Sequence, residues 1–189
     1  MSAFFYYLCD MESDEKYMRA ALQQAREAAS EGEIPIGAVV VCNDRIIGVG
    51  HNMTERLDDP TAHAEMIALT SACNAIGGKY LNDCTLYVTV EPCPMCAAAL
   101  NWAQLGRLVY GAADPKRGYS LYAPSLLHPR TQVTALCAAS CSNQLDTRPD
   151  LRPASQPDAA SSLASDSSRA ASLADECSRL VSDFFAARR

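Results

Sequence analysis

Over residues 12–30 the apolar side chains Tyr17, Met18, Ala21, Leu22, Ala25 and Ala28 recur every three or four positions, and Gly32 follows. That period predicts an amphipathic helix with the glycine as its stop. The pattern then becomes two β-rich runs within 36–52, joined through Asn43-Asp44. Both joining residues tolerate left-handed backbone, so a hairpin is expected. Thr61 is positioned to cap a second helix running to about Asn74. The stretch CTLYVTVEP (84–92) reads as a buried strand, Pro94 as a first-turn residue of a third helix, and RLVYGAAD (107–114) as another strand. The order helix, strand, strand, helix, strand, helix, strand predicts a layered α/β sheet.

After RTQVT (130–134) the character changes. About half of 135–172 is alanine or serine, with prolines and no aromatic residue. Such a composition buries too little apolar surface to offset its ordering entropy, so a flexible insertion is expected there. The apolar stripe returns with Leu173, Cys177, Leu180, Val181, Phe184 and Phe185, which predicts a terminal helix over 173–189. The chain of 189 residues therefore reads as one domain.

Composition narrows the classes. No run of about 18 apolar residues suits a bilayer, and the N-terminal AFFYYLC has neither a basic flank nor a small-residue cleavage site, so a soluble, cytoplasmic protein with no membrane partner is expected. Nine cysteines is an odd number, and Cys42, Cys73 and Cys84 sit in apolar segments where a reduced thiol acts as a small hydrophobe. The net charge of −6 argues mildly against nucleic acid, although Lys116, Arg117, Arg130, Arg188 and Arg189 gather late in the chain.

Cys93 and Cys96 require a separate account. At i and i+3, behind Pro92 and around Pro94, both sulfurs can face one side of a helix's first turn, where amides and dipole favour thiolates. A redox C-x-x-C leaves His63 and Glu65 unexplained, and a structural zinc site lacks a fourth ligand; Cys137 and Cys141 lie in the alanine- and serine-rich stretch. A catalytic metal site uses three protein ligands and keeps one position open, a set that His63, Cys93 and Cys96 provide. Glu65, two residues after His63, is then a candidate proton shuttle. The joint signature H-x-E and P-C-x-x-C, here HAE and PCPMC, is that of zinc-dependent nucleobase and nucleoside deaminases.

With EIPIGAVVV, GHN, DPTAHAE, LYVTVEPCPMC, VYGAADPKRG, LLHP and ADECSRLVSDFFAARR in this order, the chain resembles the bacterial tRNA adenosine deaminases of the cytidine/deoxycytidylate deaminase superfamily over 11–134 and 173–189. The resemblance implies a three-layer α/β/α cytidine-deaminase-like fold with a mixed sheet of about five strands. It implies one zinc per subunit on His63, Cys93 and Cys96, with Glu65 moving protons, and conversion of the wobble adenosine of a tRNA anticodon stem-loop to inosine. Asn52 would hydrogen-bond the flipped base, Ile34, Pro35 and Ala64 would line its pocket, Asp114 and Lys116 would follow the RNA, and Phe184, Phe185 and Arg188 would lie near the anticodon loop. A homodimer is implied as well. Residues 1–10 fall outside the resemblance and are expected to be a disordered or non-native extension ahead of Met11, and 135–172 an insertion. Two other functions stay open: deamination of a free guanine- or cytosine-type base or nucleoside, and a non-catalytic RNA-binding subunit.

Overall fold

A computed structural model of the chain describes residues 3–137 and 163–188. Helix α1 spans Ala3–Ser30, and strands β1 (Gly37–Cys42) and β2 (Arg45–His51) form the hairpin. Asn43 and Asp44 both take positive φ, 49° and 57°, as a two-residue turn matched to strand twist requires. Then follow α2 (Thr54–Leu57), α3 (Ala64–Ile76), β3 (Cys84–Val90), α4 (Pro94–Trp102), β4 (Arg107–Ala112), α5 (Tyr119–Tyr122), β5 (Gln132–Ala135) and α6 (Leu163–Ala186). The sheet order is β2-β1-β3-β4-β5. The β1 pairings with β2 and β3 are antiparallel, whereas β3, β4 and β5 run parallel.

Strand alternation divides the core into two layers. Ala38, Val40, Leu86, Val88 and Leu108 face α3 and α4, while Val39, Val41, Tyr87 and Val109 face α1 and α6. The result is the expected α/β/α sandwich with a five-stranded mixed sheet. The predicted stripe of α1 is fully internal, with Met18 and Leu22 at 0 and 1% exposure. Burial of side chains of that size stabilises by about 1.5–3 kcal/mol each. Asp14 clamps the same layer: Arg107 donates to both of its oxygens at 2.8 and 2.7 Å, and the Tyr87 hydroxyl donates at 2.7 Å. Next to this charge, burial foremost and Asp14 second push the Tyr87 phenol well above its ordinary value.

Several expectations are corrected. Helix α1 begins at Ala3, ahead of Met11 where the resemblance starts, and Met1 and Ser2 lie outside the described residues. The insertion expected over 135–172 is ordered at both ends. Ala135 pairs with Tyr110 in β5, and Leu136 is buried and donates its N–H to the Tyr110 carbonyl at 2.9 Å. At the far end α6 begins at Leu163 rather than 173, since alanine has the highest helix propensity and its residues extend a helix whose later turns are packed through Leu173, Ala174 and Cys177. The middle of that segment, 138–162, lies outside the described residues, and so do Cys141 and Arg189.

The second helix also starts later than Thr61. The Thr61 hydroxyl and N–H both donate to Asp59 Oδ1, at 2.7 and 2.8 Å, closing a local turn, and His63 takes the cap position of α3. Gly48 and Gly50 let this helix close on β2: a Cβ at either would sit 2.4 and 2.5 Å from the carbonyl oxygens of Ala68 and Ala64. The sheet thereby fixes the helix end that carries His63 and Glu65.

Candidate metal centre and its surroundings

Two helix starts meet at the end of the sheet where β2 and β3 finish and β1 begins. His63 caps α3 and Cys93 caps α4, each in extended backbone, and Pro94 occupies the first position of α4 as the sequence requires. The ligating atoms of His63, Cys93 and Cys96 lie within 4.8 Å of one another. His63 Nδ1 is 3.5 Å from Cys96 Sγ and 3.7 Å from Cys93 Sγ. A tetrahedral zinc with about 2.0 Å to nitrogen and 2.3 Å to sulfur needs N···S separations of roughly 3.5 Å, so the donor set fits that ion.

The electrostatics of the protein groups favour a cation there. The Cys93 thiol is held down at about 4, first by a hydrogen bond from Cys96 and then, against burial, by one with His63. The Cys96 thiol moves upward, because it is the donor of that pair and is buried beside Glu65. His63 is raised chiefly by its hydrogen bond with Cys93. A divalent ion among these atoms would favour the second thiolate also. Glu65 is 4% exposed in the first turn of α3, and burial, its largest influence, pushes the carboxyl up to about 7. A carboxyl in that range both accepts and releases a proton near neutrality.

Ala64, wholly buried, lies between the histidine and this acid. Asn52 is 3% exposed at the end of β2, and its N–H donates to the Ile36 carbonyl at 3.0 Å, which ties it to the strand carrying Ile34 and Pro35 into β1. Asp114 accepts from the N–H groups of Lys116 and Arg117 at 2.9 and 3.0 Å, so it shapes its own loop, while Lys116 is exposed. At the far end of α6, the Arg188 guanidinium stacks 4.1 Å over Phe184 and donates to the Gly32 carbonyl, and Phe185 is 48% exposed. Arg188 thereby joins the end of α6 to Gly32, one position from Glu33. The other two histidines make ordinary local contacts: His51 with Gln24 and Glu31, and His128 accepts from the Arg130 N–H.

Two acids were not singled out by sequence reasoning. Glu91, buried just ahead of Pro92, accepts from Asp114 N at 3.2 Å and Ser120 N at 3.1 Å, so it pins the loop bearing Asp114 and Lys116 against the metal-ligand turn. A Cβ at Gly118 would fall 2.3 Å from its Oε2. Glu33, 1% exposed, is hydrogen-bonded to Asn52. The available signal was an acid inside an otherwise apolar run, VTVEP and EIPIG, where a buried charge demands partners.

The cytidine and deoxycytidylate deaminase zinc-binding region matches residues 11–112, which contain all three ligand candidates and Glu65. The chain belongs to this deaminase family. The deaminase is 42% identical over 141 residues to the tRNA-specific adenosine deaminase of Bacillus subtilis, covering 71% of this chain and 88% of that one. It is 44% identical over 143 residues to the Haemophilus influenzae protein of the same name, covering 72 and 83%. Among solved structures, a tRNA:A34 deaminase studied for A-to-I editing superposes with a TM-score of 0.59 at 43% identity, over 64% of this deaminase and 96% of that chain. A guanine deaminase from Bacillus subtilis matches with a TM-score of 0.50 at 42% identity, over 52 and 64%. No helix among the described residues of the deaminase is long and apolar enough to cross a membrane.

Proposed function

We propose that this deaminase converts the wobble adenosine of a tRNA anticodon to inosine, with one zinc per subunit on His63, Cys93 and Cys96. Glu65 carries the catalytic half of this assignment: a buried carboxyl raised to about 7 next to three metal-type donors suits proton transfer and serves no structural zinc site. Relatives at 42–44% identity that are themselves tRNA-specific adenosine deaminases support the substrate. Zinc bound by these donors supplies a water acidic enough to act as hydroxide near neutral pH.

The residues of the chain perform the remaining work. Glu65 accepts the proton of the attacking water and delivers it to ring N1, which makes C6 electrophilic. Addition of hydroxide leaves C6 tetrahedral. Glu65 then carries the proton of the new C6 hydroxyl to the amino nitrogen, the C–N bond breaks as C6 becomes a carbonyl, and ammonia leaves, so one water enters for each ammonia released. Ile34, Pro35 and Ala64 wall the pocket and Asn52 hydrogen-bonds the base. Asp114 and Lys116 flank the incoming strand, with Phe184, Phe185 and Arg188 at the anticodon loop.

Reaching this buried carboxyl requires the nucleotide to leave its stack, which costs least in a single-stranded loop. An anticodon stem-loop with adenosine at the wobble position should therefore yield inosine, while the same adenosine moved into the paired stem should not, as read by sequencing the product. Equal conversion of both would oppose this function. We place the protein in the cytoplasm as a homodimer. Trp102, Tyr122 and Leu121, at 83, 67 and 57% exposure, support the dimer by putting apolar surface at α4 and α5. The match to a guanine deaminase favours a free purine base as the second reading.

A further inference from the structure

Glu33 is a carboxylate buried with no ion-pair partner among the described residues. It is held instead by hydrogen-bond donors. Oε1 accepts from Arg56 N at 2.7 Å, and Oε2 accepts from Asn52 Nδ2 at 3.0 Å, Glu55 N at 3.2 Å and the Thr54 hydroxyl at 3.4 Å. Burial acts to raise its pKa, but these four donors outweigh burial and hold the carboxyl below the usual glutamate value. Glu33 is thus ionised at neutral pH, and an ionised carboxylate only accepts.

This has a geometric result for Asn52. Its amide has a donating and an accepting end, and the carboxylate admits only the donating one. Nδ2 also lies 2.9 Å from Thr54 Oγ1, so the same nitrogen is fixed from two sides. The amide plane and its sense are set before any ligand arrives, and such prior ordering is what precise substrate placement requires. Removal of the charge would let the amide turn over. The same carboxylate ties down the start of α2, and its neighbour Gly32 accepts from Arg188, so one residue joins the pocket wall, the base contact and the end of α6.

We propose that Glu33 is a positioning residue: its buried carboxylate locks the side-chain amide of Asn52 in the single orientation that receives the flipped purine. The proposal rests on the substrate contact of Asn52 in the function above. Its test is a double-mutant cycle of Glu33→Gln and Asn52→Ala, in which kcat/KM on the anticodon stem-loop is measured beside zinc content and Tm. Glu33→Gln should lower kcat/KM roughly tenfold or more in the native background, given what small misplacements cost. In the Asn52→Ala background it should lower it less than about twofold, because the group it positions is gone. Equal losses in both backgrounds would overturn the proposal and leave Glu33 a general fold residue. If Glu33→Gln does not fold, Thr54→Val, which removes only one hydroxyl of the network, is run through the same cycle with the same two outcomes. A readout free of turnover accompanies it. The Asn52 side-chain NH2 should give two slowly exchanging proton signals in the native protein that broaden in the variant, and sharp, unchanged signals would overturn the lock. Inactivity of the native protein on the stem-loop would overturn the function above, and the amide signals would then decide the positioning role alone.

Discussion

Glu65→Ala protein should bind zinc normally and lose deamination by about 10²–10⁴-fold, the range general acid–base catalysis supplies. The acid stands two residues beyond His63 in the first turn of α3, so its removal takes away a hydrogen bond with Cys96 but deletes none of the three proposed ligands. Nothing among the described residues replaces it: its neighbours Cys93, His63 and Cys96 are themselves the proposed ligands. Glu65→Gln should be equally inactive, because an amide of the same shape holds the water and transfers no proton. Metal analysis and single-turnover inosine formation on both variants decide the matter. A zinc-loaded Glu65→Ala enzyme with native activity would sink the proton-shuttle role.

Cys96→Ala should lose both metal and activity. Cys96 is fully buried on the first turn of α4, its sulfur 3.5 Å from His63 Nδ1, and no other described thiol, imidazole or carboxylate completes a triad with His63 and Cys93. Loss of an outer-shell partner alone weakens metal sites 10–100-fold, so loss of a ligand should cost more. The measurement is zinc per chain after dialysis against a weak chelator, beside the melting temperature. The native protein should keep about one zinc and melt higher than the variant, since binding to the folded state alone stabilises it. A Cys96→Ala protein retaining full zinc would contradict the ligand set.

Much of this could be read from the chain because the signals were local. The turn at Asn43-Asp44, the stripe of α1 and Pro94 at the first position of α4 each act over a few residues, and the structure realises them. The H-x-E and P-C-x-x-C pairing was equally legible, since both halves fall at helix starts that the fold brings to one end of the sheet. What was missed depends on tertiary context. β5 is four residues with partly exposed side chains, and only its parallel pairing to β4 makes it a strand. Leu163–Ser172 reads as flexible by composition and becomes helix by continuation of a turn packed through Leu173 and Cys177. Thr61 lost the cap of α3 to a competing turn at Asp59. Glu33 and Glu91 were silent because their meaning lies in donors 19 to 29 positions away, which only the fold assembles.

One measurement bears most directly on the central claim. Zinc-loaded protein is offered an anticodon stem-loop with adenosine at the wobble position and, separately, free adenosine, cytidine and guanine, with inosine and ammonia followed together. The account predicts inosine at the wobble position with matching ammonia and no turnover of the free compounds. Turnover of a free base or nucleoside with none of the stem-loop would contradict it.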